Sequence, residues 1–430
     1  MPIPSLLSNE TTIFVLILLV PLAGAGLALV NSGLGRCRSA AHVMLASLCV
    51  VGVSALVYVA VGFSWQGVTG GTGHSILVAG TTWNWIATEP LFLRGIRLDL
   101  STESLAVLLQ MFSVGLAATI PLGAGSDRWR LGAACASSAL LAGWTYPLFA
   151  HWVWGGGWLS QLGANCGLGR GLVDGGGAST IQAVGGLTAL SITWILGPRR
   201  GKFSSDGIPA AIPGHNAILV LSGCFSAWIG WIALNSAGAL LFAGVTTQRL
   251  VLITMNTTLS AVASALTAAI VTRLRFGRPD ASLTANGWIG GLVVSSAAAS
   301  FLKPAAAILI GALGGAVIFF VIDLLEARLA IDDPGGAVSV HAVGGILSLM
   351  AVCISDVQES GQFLAQIAGV STLLGFVLPV TYGLNWLLNR FYPQRVHEEG
   401  ERQGMDLYEL GAGAYPEFVV HSEEFSQRWS

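Results

Sequence analysis

Charge is what this chain has least of. Only 10% of its 430 residues are Asp, Glu, Lys or Arg, against roughly 25% in an ordinary soluble domain. A water-facing globule of this length is thereby excluded. The few charges nearly cancel, to −2, which removes the basic surface that nucleic-acid binding requires. Cysteine is sparse and unpatterned: the six (37, 49, 135, 166, 224, 353) fall mostly inside apolar runs with no CxxC pair. They read as small buried hydrophobes, and they leave the redox compartment undetermined. The histidines other than His341 (42, 74, 151, 215, 397, 421) are dispersed. No metal cluster or nucleophile–base pair emerges, so neither a cofactor nor an enzymatic activity is expected. Residues 1–11 lack the basic segment and small-residue cleavage site of a signal peptide, so the apolar run that follows is read as a span.

What is abundant is apolar residues, 53% of the chain, and glycine, 56 residues; the mean hydropathy is +0.72. Small residues let helices approach closely in lipid. The expected fold is therefore an all-α integral membrane protein. Apolar runs near 12–29, 40–63, 101–123, 131–150, 178–197, 216–241, 247–272, 284–302, 304–327, 337–354 and 363–388 give eleven transmembrane helices. Their connections carry a charge asymmetry. Fifteen Lys and Arg residues fall on the side opposite the N-terminus, tail included, and five on the other. The positive-inside rule then places the N-terminus outside and the C-terminus in the cytoplasm. Two outer segments are long. Residues 64–100, with Trp65, Trp83 and Trp85, read as an external cap, and 151–177 as an ordered vestibule loop.

Two stretches vary one sequence: Asp174-Gly-Gly-Gly-Ala-Ser-Thr-Ile-Gln182-Ala-Val-Gly-Gly186 and Asp333-Pro-Gly-Gly-Ala-Val-Ser-Val-His341-Ala-Val-Gly-Gly345. Halves of five spans each, about 12–197 and 216–354, must be inverted with respect to one another, as in transporters built from repeats. The span at about 363–388 lies outside the repeat. The membrane domain is expected over 1–390 and a polar cytoplasmic tail over 391–430. Two readings of the tail stand open, a solvated extension and a docking or signalling segment.

A polar group midway along an apolar span is a functional candidate, because its burial is costly unless it meets a partner or cavity. The repeat places Gln182 and His341 at mirrored positions, where they can line a narrow path for a small hydrogen-bonding solute. Unlike histidine, Gln cannot exchange a proton near pH 7. Asp174 and Asp333 precede helix starts, where a carboxylate caps free backbone N–H groups. Asp174, on the outer side, could also draw a cation inward. Trp154 ends the fourth span at that face, either as an interface residue or as a cation–π wall.

Several ordered motifs resemble the ammonium transporter (Amt/Mep/Rh) family over nearly the whole chain. They are Gly26-Leu-Ala-Leu-Val-Asn-Ser-Gly-Leu-Gly-Arg36, Val153-Trp-Gly-Gly-Gly157, Gly214-His-Asn216, Ile229-Gly-Trp…Leu234-Asn235, Asp332-Asp-Pro…Val340-His-Ala-Val-Gly-Gly345 and Gly404-Met-Asp-Leu…Tyr415-Pro-Glu-Phe418. The resemblance implies a homotrimer in the cell (inner or plasma) membrane, with one pore per subunit lined by two facing histidines. By position Trp154 matches the recruitment tryptophan, Asp174 the structural aspartate and His341 the second pore histidine. The other matches depart from the family. The first pore histidine falls on Gln182, and the inner gate phenylalanine on Leu234. The recruitment serine falls on Gly238, with Ser236 close by, and the outer gate phenylalanine on Ser113, next to Phe112. The departures cluster along the conducting path. They imply an ammonium-recognising member with altered or lost conduction, a sensor acting through its tail; the alternative is a conducting ammonium channel. A cytoplasmic signalling domain or a PII-type nitrogen-regulatory protein is the further partner the resemblance suggests.

Overall fold

The computed structural model describes residues 8–357 and 359–415; the sequence expectations for Pro416 to Phe418 and for the charges beyond them lie outside the described residues. Helices dominate. In chain order they are α1 (Asn9–Leu34), α2 (Cys37–Gln66), α3 (Thr102–Gly125), α4 (131–154), the short α5 (Trp158–Cys166), α6 (Ala178–Leu196), α7 (Ala217–Phe242), α8 (Thr247–Phe276), α9 (Ala281–Ser295), α10 (Pro304–Ala327), α11 (Val338–Ile354), α12 (Gln362–Phe391) and α13 (Glu398–Gln403). Eight of them are long and apolar enough to cross a membrane, by length and composition, and α11 is apolar but shorter. Leu48, Leu56, Phe225, Leu266, Leu274, Leu309 and Phe320 lie exposed on helix exteriors, as helices packed among lipid tails require.

Small residues set the interhelical distances. A methyl group added at Gly26 or Gly223 would meet the facing backbone of α7 or α1, so these two helices touch along their glycines. Gly291, Gly311 and Gly315 bring α9 and α10 against Ser260 and Ser264 of α8 in the same way. The hydroxyls of Ser260 and Ser264 then donate to the carbonyls of Gly291 (2.8 Å) and Gly287 (2.6 Å) across the gap. A buried hydroxyl needs such a partner, and close backbones supply it.

Two sequence expectations turn out differently. The helix expected near 284–302 stops at Ser295, and 296–301 is a chain of turns. The Asn256 side chain of α8 donates to the carbonyls of Ala299 and Leu302, both at 2.8 Å, and so satisfies backbone that has left the helix. Over 64–100 the structure adds strands that the all-α expectation lacked: β1 (Gly73–Val78) pairs antiparallel with β2 (Thr81–Ala87). Their two-residue turn, Ala79-Gly80, has φ of 50° and 80°, the left-handed pair that matches strand twist in a hairpin. The hairpin covers one end of the bundle, where Trp152 Nε1 donates to the Trp85 carbonyl (2.7 Å) and Asn84 N–H to Gln161 Oε1 (2.8 Å). Residues 391–415 lie against the other end. Trp129 and Arg395 form an isolated antiparallel bridge there.

Candidate functional site

Each repeat opens with the same local structure. Asp174 accepts from the N–H groups of Ala178 (2.7 Å) and Ser179 (2.8 Å), and from the Ser179 hydroxyl (2.6 Å). Asp333 accepts from the N–H groups of Ala337 (2.9 Å) and Val338 (2.7 Å). Between carboxylate and helix, Gly177 and Gly336 take φ of 83° and 68°, a conformation open to glycine at little cost. Both aspartates thus cap helices whose first free N–H groups would otherwise be buried unpaired.

The first turn of each helix is a wide π-helical turn, Ala178–Ala183 in α6 and Val338–Val343 leading α11. Gln182 N–H donates to Gly177 O, five residues back, at 3.0 Å. Such turns recur at functional positions because the inserted residue re-aims the side chains around it. Here they aim Gln182 and His341 at one another. His341 Nδ1 lies 2.8 Å from Gln182 Oε1, between residues 159 apart in sequence. Gln182 is fully buried and His341 4% exposed.

The closing Gly-Gly of each repeat makes that meeting possible. A methyl at Gly186 would strike the backbone of Ala342, the residue after His341; one at Gly345 would strike Ala183, the residue after Gln182. The two helices cross at these mirrored points. Trp231 of α7 sits beside the pair, its ring centroid 6.3 Å from that of His341 and its Nε1 donating to Ser296 Oγ (3.2 Å). Leu234, one turn further on, is buried in the same core.

Toward the hairpin end, Trp154 Nε1 donates to the Asp174 carbonyl (2.8 Å), so the tryptophan is fixed to the first repeat. One face of its ring is covered by Phe242, stacked at 4.6 Å and 12°. Beside them opens a cavity of about 440 Å³, lined among others by Thr69, Glu103, Gln110, Trp154 and Phe242. Phe112, Ser113, Ser236 and Gly238 are absent from that lining. The Ser113 hydroxyl is buried and turned back onto Leu109 O (2.8 Å), and Ser236 Oγ is buried without a partner among the described residues. Gly238 lets α7 touch the Gly175 carbonyl. Sequence reasoning missed Phe242, Gln110 and Glu103. Their signal was periodicity: Phe242 follows Gly238 by four residues, and Glu103, Ala106 and Gln110 share a helix face.

At the tail end a buried ionic cluster joins the repeats. Arg199, just past α6, holds Asp332 through both oxygens (Nε–Oδ2 2.9 Å, Nη2–Oδ1 3.0 Å) and Asp127 at 3.1 Å. Arg128 donates to the carbonyls of Gly197 (2.7 Å) and Asp332 (2.9 Å). Burial pushes the Arg128 guanidinium down to about 10, which leaves it charged at neutral pH. Burial disfavours the Asp332 carboxylate, but Arg128 and Arg199 outweigh it and hold the group below its ordinary value. Neither repeat motif contains these arginines.

The comparisons agree with this architecture. The family model described as Ammonium Transporter Family matches residues 11–415. Ammonium transporter Amt2 of Archaeoglobus fulgidus is 35% identical over 94% of this chain and 88% of its own length. An ammonium transporter of Bacillus subtilis is 29% identical over 95% and 98%. Among solved structures, one titled Sensor Amt Protein superposes with a TM-score of 0.83 at 26% identity, covering 93% of this chain and 98% of that one. Mep2 of Saccharomyces cerevisiae superposes at 0.77 with 26% identity, covering 91% and 89%.

Proposed function

The chain belongs to the ammonium transporter family, a family of multi-pass membrane proteins, and on that premise we propose an ammonium-recognising protein retuned from passage toward detection. We read it as a non-catalytic homotrimer of the cell membrane. Each subunit has eleven spans, an outer N-terminus and a cytoplasmic tail. Ammonium is collected beside Trp154 and Phe242 and reaches a centre formed by Gln182 and His341. The observation that carries the reading is the direct 2.8 Å hydrogen bond between those two side chains. A paired imidazole could pass a proton along the path, whereas an amide cannot gain or lose one near neutrality. The binding groups are kept while the relay is cut.

The signal leaves through the tail, from residue 391 onward, toward a cytoplasmic signalling domain or a PII-type regulator. What supports this is the tail's position. Arg395 donates to Leu196 O at the end of the Gln182 helix (2.6 Å), while Glu401 accepts from Arg395 (2.8 Å) and from the Arg200 N–H (2.6 Å). A conducting channel is the second reading, favoured by the relatives named as transporters and by the ability of Gln to bridge a hydrogen-bonded path.

The deciding experiment is ammonium-induced current in liposomes, with wild type beside Gln182→His. Saturable ammonium binding with neither current nor ammonium uptake, and conduction appearing in the variant, is the expected result. A fast wild-type current equal to that of the variant would establish the channel instead.

A further inference from the structure

Where the tail meets the membrane domain a second cavity opens, of about 470 Å³. Three segments far apart in the chain wall it: the start of α2 with Cys37 and Arg38, the approach to α7 with His215, and the tail with Asp406, Leu407 and Tyr415. Its volume suits a small organic ligand. Most polar groups around it are already spent. The Asp406 carboxylate accepts from the N–H groups of Ala41 (3.2 Å), His42 (2.7 Å) and Ala414 (3.3 Å). The His215 ring is engaged at both nitrogens, Nδ1 with Gly35 O (3.2 Å) and Nε2 with the Tyr415 hydroxyl (3.0 Å). Arg38 is the exception. One of its terminal nitrogens donates to Glu401 O (3.0 Å), and among the described residues no carboxylate pairs with the guanidinium. Beside it Leu407 is 48% exposed, an apolar side chain left open on a polar segment. A guanidinium with donors to spare and an apolar wall in one cavity are the two halves of a site for an anion with an apolar body.

We propose that this cavity binds a small soluble phosphate ester with a flat aromatic body, the class that includes nucleoside monophosphates, and that the ligand clamps the tail onto α2 and α7. The phosphate takes the open edge of Arg38, whose planar fork of N–H groups matches a phosphate's oxygens. The N–H groups of Cys37 and Arg38, in the first turn of α2, have no acceptor within the helix and supply further donors. A phosphate has oxygens enough for both sets, which a carboxylate has not. The ring of the ligand lies against Leu407 and Tyr415, removing apolar surface from water. Such a ligand touches the tail and the membrane domain at once, so it binds the docked tail and stabilises docking by mass action. The site uses none of the residues assigned to the ammonium path and stands whether or not the chain conducts.

Cys37 supplies the readout, because it lines the cavity and is exposed, as Cys166 of α5 is elsewhere. The full chain in phosphatidylcholine nanodiscs is treated with N-ethylmaleimide, and modification of both cysteines is followed by mass spectrometry as AMP, adenosine or inorganic phosphate is added. AMP is expected to slow Cys37 severalfold and leave Cys166 unchanged, with adenosine and phosphate each much weaker. It also slows amide exchange over 398–410. By calorimetry, Arg38→Gln weakens AMP roughly ten- to a hundredfold. Arg38→Lys, which keeps the charge, weakens it less, and Leu407→Ala weakens AMP but not phosphate. No protection of Cys37 by AMP, or equal protection by adenosine or phosphate alone, would overturn the proposal, as would an AMP affinity that Arg38→Gln leaves intact. Protection already present in nanodiscs containing phosphatidylglycerol, with AMP adding nothing, would give the cavity to a lipid headgroup and overturn it too. The wild-type series needs no variant, so a misfolded mutant leaves the test intact.

Discussion

Trp154 and Phe242 define the residue scale. Their rings stack at 4.6 Å, a spacing that admits no cation between them, so one face of the indole is closed to a cation–π contact. Exposing that face adds roughly 0.5–2 kcal/mol of cation attraction. Phe242→Leu is therefore expected to tighten ammonium binding at the hairpin-end cavity by about two- to thirtyfold, measured by calorimetry on a Gln182→Leu background that weakens the buried centre. Unchanged affinity would mean that a cation in this cavity is held by Glu103 and Gln110 and not by the ring. The meeting of Gln182 with His341 was legible because each repeat carries one polar residue at the same offset. The stacking partner was not. Phe242 is one apolar residue among many in an apolar helix, and only the packing of α7 against the chain before α6 selects it. Ser113, Ser236 and Gly238, placed by motif position, lie outside the lining of that cavity; Gly238 lets α7 close on the Gly175 carbonyl, and the Ser113 hydroxyl is spent on Leu109 O.

At the scale of elements, the repeated Ala-Val-Gly-Gly is a contact surface. Gly186 and Gly345 each face backbone of the opposite repeat, and packed interiors do not yield to an added methyl. Gly345→Ala is expected to cost about 1–3 kcal/mol or more. It should also part Gln182 from His341, since Ala183 and Ala342 adjoin those residues. Thermal unfolding followed by size-exclusion chromatography checks the first effect, and loss of ammonium binding in the folded fraction the second. The caps are buried as well: Asp174→Asn keeps one acceptor oxygen but turns an NH2 donor toward the Ser179 N–H and hydroxyl that the second oxygen accepts, so a loss of about 1–3 kcal/mol is expected, read as a drop in melting temperature. Helix periods and glycine pairs made most spans legible. The hairpin was not, because 73–87 is too short and too rich in Trp and Thr to be told from an interfacial loop. Nor was the end of α9 at Ser295, which depends on Asn256 from another helix.

For the whole molecule, the question is how the tail face holds together. The described tail is docked by two acids at helix starts. Asp406 accepts from the N–H groups of Ala41 (3.2 Å) and His42 (2.7 Å) of α2. Glu409 accepts from Leu131 N–H of α4 (2.8 Å) and from His42 Nε2 (2.8 Å), with Arg130 at 3.9 Å. Composition marked this segment as polar and left its docking open, since its partners lie more than 270 residues away in the chain. Partial burial works against the Glu409 carboxylate, yet the bonds from His42 and Leu131 and the charge of Arg130 hold it below its ordinary value of 4.5. An acid whose value is depressed on docking contributes stability above its undocked value and loses that contribution as pH falls through the docked one. The Glu409 contribution to docking is therefore expected to be present above about pH 5 and to be lost as pH falls below about 4.5. Glu409→Gln removes the charge at every pH and should cost about 1–3 kcal/mol of docking, while a neutral amide can still accept one N–H. Amide hydrogen exchange at residues 398–410 reports the outcome: exchange in wild type accelerates only in acid, and exchange in the variant is faster and independent of pH in that window after correction for the intrinsic rate. Equal protection in both would mean that Asp406 and Glu401 hold the tail without Glu409, and that the His42 ring takes no part in keeping it on the membrane domain.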